Sequence, residues 1–276
     1  MLRITTLVEN SPGEHKGLVH EHGLCFHIDT GRDRLLFDTG QSDALVRNAD
    51  RLRVDLNGLR YVALSHGHYD HTGGLRPLSA CASGFEVVTG TGFFVDKYGV
   101  NNGACQFLGN DFDAGWLKQN GIAHVTISEP VRELVPGVFT ITDFPRIHPD
   151  EIVNPRFMLK ADQGFVADTF ADEVMLVADT PRGLVAVLGC AHPGVKNMLD
   201  AAAARLNKPI HAIIGGTHLV EASPDSLALT LQYFAAKNIA VIGASHCTGG
   251  AAMGKIAAAF GDKYFHNSTG TTLFVE

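Results

Sequence analysis

Four apolar runs along the chain are each followed closely by a histidine. Each run has the length of one buried strand, about four to eight residues at most. The runs and their histidines are residues 61–64 with His66, 184–188 with His192, 211–214 with His218 and 239–242 with His246. Strand ends held in a rigid sheet are where α/β folds place their active sites. The pattern therefore predicts that these four histidines converge on one pocket.

Between and around these runs, apolar residues recur with helical or strand periodicity. Helical spacing covers residues 42–53, 195–206, 223–237 and 250–260. Ser223 and Pro224 have the residue types of a helix N-cap and first helical position. Further strands are predicted at residues 2–8, 23–29, 34–37, 173–178 and 273–275. This alternation predicts an α/β protein.

The densest group of polar residues is Ser-His-Gly-His-Tyr-Asp-His at positions 65–71. In an extended or turning backbone, alternate residues share a side, so His66, His68 and Asp70 point into one pocket. His71 approaches from beside them. Imidazole and carboxylate together suit zinc, iron or manganese at a catalytic site. The alternative is a polar turn that happens to be rich in histidine, which this strand-end spacing disfavours.

Residues 90–121 interrupt the regular pattern. They are rich in Gly, Asn and Asp, with scattered aromatic residues. Such a composition is typical of loops and short elements. We expect a single domain covering residues 1–276, with an insert or lid at about residues 90–170.

Composition narrows the functional classes. The net charge of −7 disfavours a nucleic-acid surface, which is usually basic. The five cysteines are scattered and odd in number, so a reducing compartment, the cytoplasm, is expected. No apolar stretch approaches the roughly 18 residues that a membrane helix needs. We therefore expect a small-molecule substrate and neither a nucleic-acid partner nor a membrane; the oligomeric state stays open.

The segment Ser-His-Gly-His-Tyr-Asp-His-Thr-Gly-Gly at 65–74 is similar to the His-x-His-x-Asp-His signature of the metallo-β-lactamase superfamily. Three further segments resemble its dihydropterin / ribofuranosyl-aminobenzene-phosphate synthase-like branch. They are Gly-Cys-Ala-His-Pro-Gly at 189–194, Gly-Gly-Thr-His-Leu at 215–219 and His-Cys-Thr-Gly-Gly at 246–250. The resemblance runs from about residue 35 to the C-terminus. It implies a four-layer αββα sandwich.

The resemblance also implies a ligand set for one or two divalent metal ions, zinc above all. The first metal would be bound by His66, His68 and His192. The second would be bound by Asp70, His71 and His246. The superfamily usually adds a bridging carboxylate near the position of residues 216–218, where this chain has no acid. His218 is therefore expected to be a terminal ligand or a substrate contact, and Cys190 is either a thiolate ligand or a small buried hydrophobe.

Other residues are candidates for supporting roles. The candidate substrate-binding residues are His22, Arg146 and Arg156. His22 lies in a segment that resembles one found beside the metal in this branch. An arginine can bind an anion by bidentate contacts, although a surface role is the alternative for both. Asp38 is expected to accept a hydrogen bond from a metal-binding imidazole. Asp179 is expected to lie in a turn.

These observations predict a metal-dependent hydrolase or transferase acting on a phosphate- or ester-bearing small molecule, which the branch's name suggests to be pterin-related. Asp70 would orient or deprotonate a water molecule, and His218 would contact a developing oxyanion or a phosphate. One alternative is an RNA nuclease or phosphodiesterase. Another is a metal-binding sensor with vestigial catalysis, which the missing bridging acid favours.

Overall fold

The computed structural model describes residues 1–15 and 17–276. In the described residues the strands are β1 (Leu2–Val8), β2 (Cys25–Asp29), β3 (Arg34–Phe37), β4 (Leu59–Ala63), β5 (Glu86–Gly90), β6 (Lys97–Asn101), β7 (Ala104–Phe107), β8 (Ala123–Ile127), β9 (Val131–Val135), β10 (Val138–Ile141), β11 (Phe157–Ala161), β12 (Gly164–Ala167), β13 (Met175–Thr180), β14 (Gly183–Leu188), β15 (Ile210–Gly216), β16 (Val241–Ser245) and β17 (Thr272–Val275). The helices are α1 (Ala44–Leu52), α2 (Tyr69–Thr72), α3 (Leu75–Cys81), α4 (Ala114–Gln119), α5 (Val195–Leu206), α6 (Pro224–Ala236) and α7 (Gly250–Phe260). Short 3₁₀ turns cover Leu219–Glu221, His246–Thr248 and Gly261–Lys263.

Two mixed sheets form the centre of the molecule. The first has seven strands in the order β17-β1-β2-β3-β4-β5-β8, and the second has six in the order β16-β15-β14-β13-β10-β9. Apolar residues that alternate along the strands pack between the sheets; examples are Phe26 and Phe37 from the first and Val187 and Ile214 from the second. Alternation places the other residues of each strand on the outer faces.

Helices cover both outer faces. On the first sheet, Leu45 of α1 and Leu78 of α3 pack over Val62 and Val87. On the second, Met198 and Leu199 of α5 pack with Phe234 of α6 and Ile256 of α7. The layers are therefore helix, sheet, sheet and helix, which confirms the predicted αββα sandwich. Within the described residues, every helix is too short or too polar to span a lipid bilayer.

A third, smaller sheet joins two distant segments of the chain. Its order is β12-β11-β6-β7, so it draws on residues 97–107 and 157–167. The strands between those segments, β8, β9 and β10, belong to the two large sheets. Part of the range expected for an insert, about residues 90–170, therefore lies in the sandwich itself.

A buried ion-pair network anchors the small sheet to the sandwich. The Nζ of Lys97, on β6, lies 2.7 Å from Asp168 Oδ2 and 2.9 Å from Asp172 Oδ1. All three side chains are buried. The other oxygen of Asp172 accepts a hydrogen bond from the backbone N–H of Gly67, at 2.8 Å. The small sheet is thus connected directly to the histidine-rich loop that follows β4.

Candidate metal centre

The loops after β4, β14, β15 and β16 meet at one end of the sandwich. β14, β15 and β16 are parallel neighbours, so their C-terminal ends lie side by side. The loop after β4 approaches from the first sheet. This arrangement brings together all four strand-end histidines, as their position in the sequence predicted.

His66, His68 and His192 form a first group of donors. Their ligand atoms lie within 4.8 Å of one another. The Nε2 atoms of His68 and His192 are buried and have no hydrogen-bond partner among the described residues. Leaving such atoms unpaired costs roughly 1–3 kcal/mol each, so the site fits a cation that would bind them. Burial lowers the pKa of all three imidazoles well below the ordinary value, which keeps them neutral as ligation requires.

Asp70, His71 and His246 form a second group. The Oδ2 of Asp70 lies 3.3 Å from His246 Nε2 and 3.7 Å from His71 Nε2. The two Nε2 atoms are 3.2 Å apart. Burial opposes ionisation of Asp70, but the neighbouring His71 and the hydrogen bond from His22 outweigh it and hold the pKa of Asp70 well below its usual range. One carboxylate and two imidazoles thus face a common point.

Asp38 supports both groups. Its Oδ2 lies 2.6 Å from His71 Nδ1 and accepts a hydrogen bond from Ser65 Oγ at 2.9 Å. Ser65 Oγ in turn lies 2.8 Å from the Nδ1 of His66. Because the carboxylate and the hydroxyl engage these Nδ1 atoms, the Nε2 atoms carry the free lone pairs; that of His66 faces the Nδ1 of His68 at 3.0 Å. The contact expected of Asp38 from the sequence is present.

Asn10 distinguishes two histidines that border the second group. The N–H of Gly23 donates to Asn10 Oδ1 at 3.2 Å, which identifies the amide oxygen. That same oxygen lies 2.8 Å from His246 Nδ1, so it accepts a hydrogen bond from the Nδ1–H, and the Nε2 of the neutral ring carries no proton. The amide nitrogen faces His22 Nδ1 at 3.3 Å, so this atom must accept. The neutral His22 therefore carries its proton on Nε2 and donates it to Asp70 Oδ2, 3.1 Å away.

The two groups open into a cavity of about 550 Å³. Its walls come from both large sheets, and β7 and β11 of the small sheet contribute Gln106 and Phe157. Of the residues predicted to take part in the site, seven are among those that line it: His22, His68, Asp70, Arg156, His192, His218 and His246. A cavity of this volume is typical of a small-molecule site.

Arg156 and His218 lie on one wall of this cavity and share a carboxylate. An Nη2 of Arg156 lies 2.7 Å from Glu221 Oε1, and the Nε2 of His218 lies 3.2 Å from Glu221 Oε2. The guanidinium of Arg156 also stacks over the ring of Phe157, with 4.4 Å from Cζ to the ring centroid. Burial lowers the pKa of His218, but hydrogen bonds with Cys247 and Glu221 outweigh it and raise the pKa to about 9.

Two sequence candidates lie elsewhere. Arg146 is absent from the described residues that line the cavity. Its guanidinium donates to the backbone oxygens of Thr169 and His192, at 2.6 and 3.4 Å, so it braces the loop that carries His192. Asp179 was expected to lie in a turn, but it lies within strand β13, opposite Leu184 of β14, and its carboxylate pairs with Lys208.

Several contacts around the site were not predicted from the sequence. The ring of Phe170 stacks on His192 with centroids 3.7 Å apart and an interplanar angle of 12°. Glu173 is fully buried, and its Oε1 accepts a hydrogen bond from the N–H of Ala191. Asn10 and Glu221 were not singled out either. None of these four residues belongs to a recognisable motif. Only Glu173 has a signal in the sequence, because it is an acidic residue directly before an apolar strand.

Comparison with known proteins agrees with this architecture. The family model of the metallo-beta-lactamase superfamily matches residues 20–80. The 7,8-dihydropterin-6-methyl-4-(beta-D-ribofuranosyl)-aminobenzene-5'-phosphate synthase of Methanocaldococcus jannaschii is 30% identical over 90% of this chain and 88% of its own. An uncharacterized protein of the same organism is 29% identical over 92% of this chain and 93% of its own.

A solved structure extends the comparison to the whole fold. Tm1679, described as a metal-dependent hydrolase of the beta-lactamase superfamily, superposes with a TM-score of 0.86 at 29% identity, covering 100% of this chain and 99% of its own. The chain belongs to the metallo-β-lactamase superfamily, within which it resembles the dihydropterin / ribofuranosyl-aminobenzene-phosphate synthase-like branch. Members of this superfamily bind divalent metals.

Proposed function

We propose that the chain is a zinc-dependent hydrolase or transferase acting on a phosphate- or ester-bearing small molecule. The observation that carries the proposal is the position of two donor groups beside a cavity whose wall presents Arg156 and His218. His66, His68 and His192 would hold one zinc ion, and Asp70, His71 and His246 the other. Bound zinc supplies Lewis acidity and lowers the pKa of a coordinated water toward about 7.

Arg156 and His218 would bind the substrate's anionic group. Both already contact one anion, the carboxylate of Glu221. The guanidinium offers several donors in a fixed plane, which suits phosphate or carboxylate oxygens. His218 reaches the same region from the loop after β15, and its Nε2 is the atom that would meet a developing negative charge.

Asp70 would accept a proton from water beside the metal ions, and His22 would position Asp70 for that role. The Nε2–H of His22 donates to the Oδ2 of Asp70, which orients that carboxylate and stabilises its negative charge. Its second oxygen, Oδ1, could orient or accept a proton from a water molecule. His22, expected from the sequence to bind substrate, is at the cavity wall in a position to do so as well.

The cavity also supports a substrate that carries an aromatic ring. Phe157, His192 and Met253 line it beside the polar groups. The similar synthase of Methanocaldococcus jannaschii has both a pterin and a phosphate in its name. A pterin-related substrate with a phosphate or diphosphate group would place its ring against Phe157 and its anion at Arg156. The small sheet, which contributes Phe157, would act as the lid of the cavity.

The net charge and the free thiols support a small-molecule role rather than RNA binding. The net charge is −7. All five cysteines are free thiols, which suits a reducing compartment such as the cytoplasm.

The test combines metal analysis with turnover. The zinc-loaded protein is assayed with chromogenic phosphomonoester, phosphodiester and carboxylic ester substrates, and with a dihydropterin diphosphate while diphosphate release is followed. We expect zinc-dependent turnover, and we expect His66→Ala and His68→Ala to lose both zinc and activity. His218→Ala should retain zinc but lose roughly 10²–10³ in kcat, as when one electrostatic stabiliser is removed.

Arg156 has a matched control in Arg132, an arginine of β9 that pairs only loosely with Glu129, at 3.7 Å. Arg156→Ala should raise KM for anionic substrates, whereas Arg132→Ala should leave the kinetics unchanged. Full zinc occupancy in His66→Ala, or unchanged KM in Arg156→Ala, would contradict the assignment of the corresponding residue.

A further inference from the structure

One sulfur atom lies between the two donor groups. The Sγ of Cys190 is 3.2 Å from the Nε2 of His71, a member of the second group. The same sulfur and donor atoms of His66 and His71 all lie within 4.8 Å of one another, and His66 belongs to the first group. Cys190 is 4% exposed. A single thiol therefore faces a ligand of each proposed metal.

The local backbone holds this thiol in place. Cys190 follows β14 after a single residue, Gly189, and the next residue, Ala191, has the left-handed φ of 58°. This conformation is uncommon for a residue other than glycine, and it costs of order 1 kcal/mol or more. The N–H of Ala191 donates to buried Glu173, which holds the turn. The turn places Cys190 and His192 at the same site from one short segment.

No side chain from the end of β15 enters the space beside Cys190. A Cβ at Gly216 would lie 2.5 Å from the Sγ of Cys247 and 3.4 Å from the Cα of Cys190. Glycine is therefore the residue that this position accepts. Cys190 thus adjoins both His66 and His71.

We propose that Cys190 is a thiolate ligand shared by both metal ions of the centre. The inference rests on the proposed zinc centre and adds a ligand to it. Thiolate is a strong zinc ligand, and its negative charge would offset the charge of two neighbouring cations. On binding, the thiol releases its proton to solvent and donates sulfur electron pairs to the metal ions, so no oxidant is needed.

Cys247 is the matched control. Its Sγ lies within 4.8 Å of Cys190 Sγ and of a nitrogen of His218. It accepts a hydrogen bond from the backbone N–H of His218 at 3.3 Å and donates one to the carbonyl of Cys190 at 3.4 Å. These contacts give Cys247 a role in shaping the loops rather than in binding both metals.

The decisive measurement is X-ray absorption fine structure at the zinc edge of the wild-type protein, loaded with two zinc ions under reducing conditions. A shared thiolate gives an average of about one sulfur per zinc near 2.3 Å, whereas a terminal thiolate on one zinc gives about half. In Cys190→Ser the sulfur signal should disappear, and in Cys247→Ser it should remain. This measurement on the wild type needs no variant to fold.

Metal affinity provides a second readout. We expect Cys190→Ser and Cys190→Ala to bind the second zinc equivalent roughly 10–100-fold more weakly. This is the loss in affinity that follows removal of a residue hydrogen-bonded to a metal ligand, and removal of a ligand should cost at least as much. Cys247→Ser should keep the wild-type affinity. Circular dichroism establishes that each variant is folded.

The outcomes separate this inference from the proposed centre. About half a sulfur per zinc, no sulfur in the wild type, or a signal that persists in Cys190→Ser would overturn the shared thiolate while leaving the zinc centre intact. A wild-type protein that binds no zinc would overturn the centre itself. A Cys190–Cys247 disulfide in the zinc-loaded protein would also overturn the thiolate assignment.

Discussion

At the scale of single residues, one amide fixes different tautomers of two neighbouring histidines. The amide oxygen of Asn10 accepts a hydrogen bond from His246 Nδ1–H, and its amide nitrogen donates one to His22 Nδ1. The first contact leaves the Nε2 of His246 free for a metal, while the second places a proton on the Nε2 of His22. Ring orientation and tautomer are commonly set by such neighbours of a metal ligand.

Asn10→Leu should therefore weaken zinc binding without unfolding the protein. His246 would lose the acceptor that fixes its tautomer, and the expected loss in affinity of the second site is roughly 10–100-fold. Asn10→Asp keeps an acceptor for His246 and should retain most of the affinity. Competition with a chelator measures both, and Asn57→Leu, in an exposed turn, is the control. Wild-type affinity in Asn10→Leu would show that Asn10 does not set the tautomer.

His27 makes the stability of the fold depend on pH. It is 1% exposed on β2, and neither ring nitrogen has a hydrogen-bond partner among the residues that the structure describes. Burial lowers its pKa from 6.5 to about 4. Because the unfolded chain accepts the proton first, stability is lost as the pH falls from 6.5 toward 4.

The expected loss in the free energy of unfolding from this residue is about 3 kcal/mol at most, since each pKa unit corresponds to about 1.4 kcal/mol. His27→Leu should remove that part of the pH dependence. Urea unfolding at pH 7 and pH 4.5 measures it, with exposed His266→Leu as the control. An equal loss of stability on acidification in His27→Leu and the wild type would rule out His27 as the cause.

At the scale of elements, what the sequence predicted depended on local patterns. Strand ends followed by histidine were predictable because a strand is a short apolar run and its end is marked by polar or glycine residues. The donors His66, His68, Asp70 and His71 are close in sequence, so their convergence follows from one loop. The ring-stacking of Phe170 on His192 and the ion pairs of Lys97 join distant segments, and no local pattern reports such pairings.

The small sheet illustrates the same limit. Its composition indicated irregular structure at residues 90–121, but its partner strands, β11 and β12, come from residues 157–167. Pairing across such a separation is decided by tertiary contacts. Lys97 is one example, because the sequence alone would place this charged residue on the surface, whereas it is buried against two aspartates. Arg146 shows the converse, because a plausible anion-binding residue was used to brace a loop.

Lys97→Met should destabilise the protein and loosen the small sheet. Removing this cation leaves two buried carboxylates, those of Asp168 and Asp172, without compensation. The expected cost is about 3–5 kcal/mol. Hydrogen exchange should rise in β6 and β11 and also at Gly67, whose N–H donates to Asp172.

Lys160→Met, an exposed position on β11 of the same sheet, is the control and should change little. The double variant Lys97→Met/Asp172→Asn should recover part of the loss, because one uncompensated charge is removed. A Lys97→Met protein as stable as Lys160→Met would mean that the ion pairs do not hold the small sheet.

At the scale of the whole molecule, the metal centre connects the two halves of the sandwich. The loop after β4, from the first sheet, carries His66 and His68, and the short helix α2 that follows it carries Asp70 and His71. The loops after β14 and β16, from the second, carry His192 and His246. Each proposed metal thus takes ligands from both halves, and the packed interior between the sheets holds those loops at a fixed separation. Without a cation, the same convergence leaves buried imidazole nitrogens unpaired.

Zinc should therefore stabilise the complete fold and not only its loops. A ligand that binds the folded state alone adds about 3–4 kcal/mol at 100 to 1,000 times its dissociation constant. We expect the temperature of unfolding to fall by several degrees or more when zinc is removed by a chelator, and to recover when zinc is returned. Affinity, and with it this gain, should decrease in acid, because each imidazole must lose its proton to bind.

His66→Ala and His246→Ala each remove a ligand from one half, so each should reduce the stabilisation that zinc provides. Cys25→Ser, at a buried cysteine that forms none of the donor groups, should leave that stabilisation unchanged. Equal unfolding temperatures for the zinc-loaded and zinc-free wild type, with zinc shown to be bound, would mean that the two halves are already fixed without the metal.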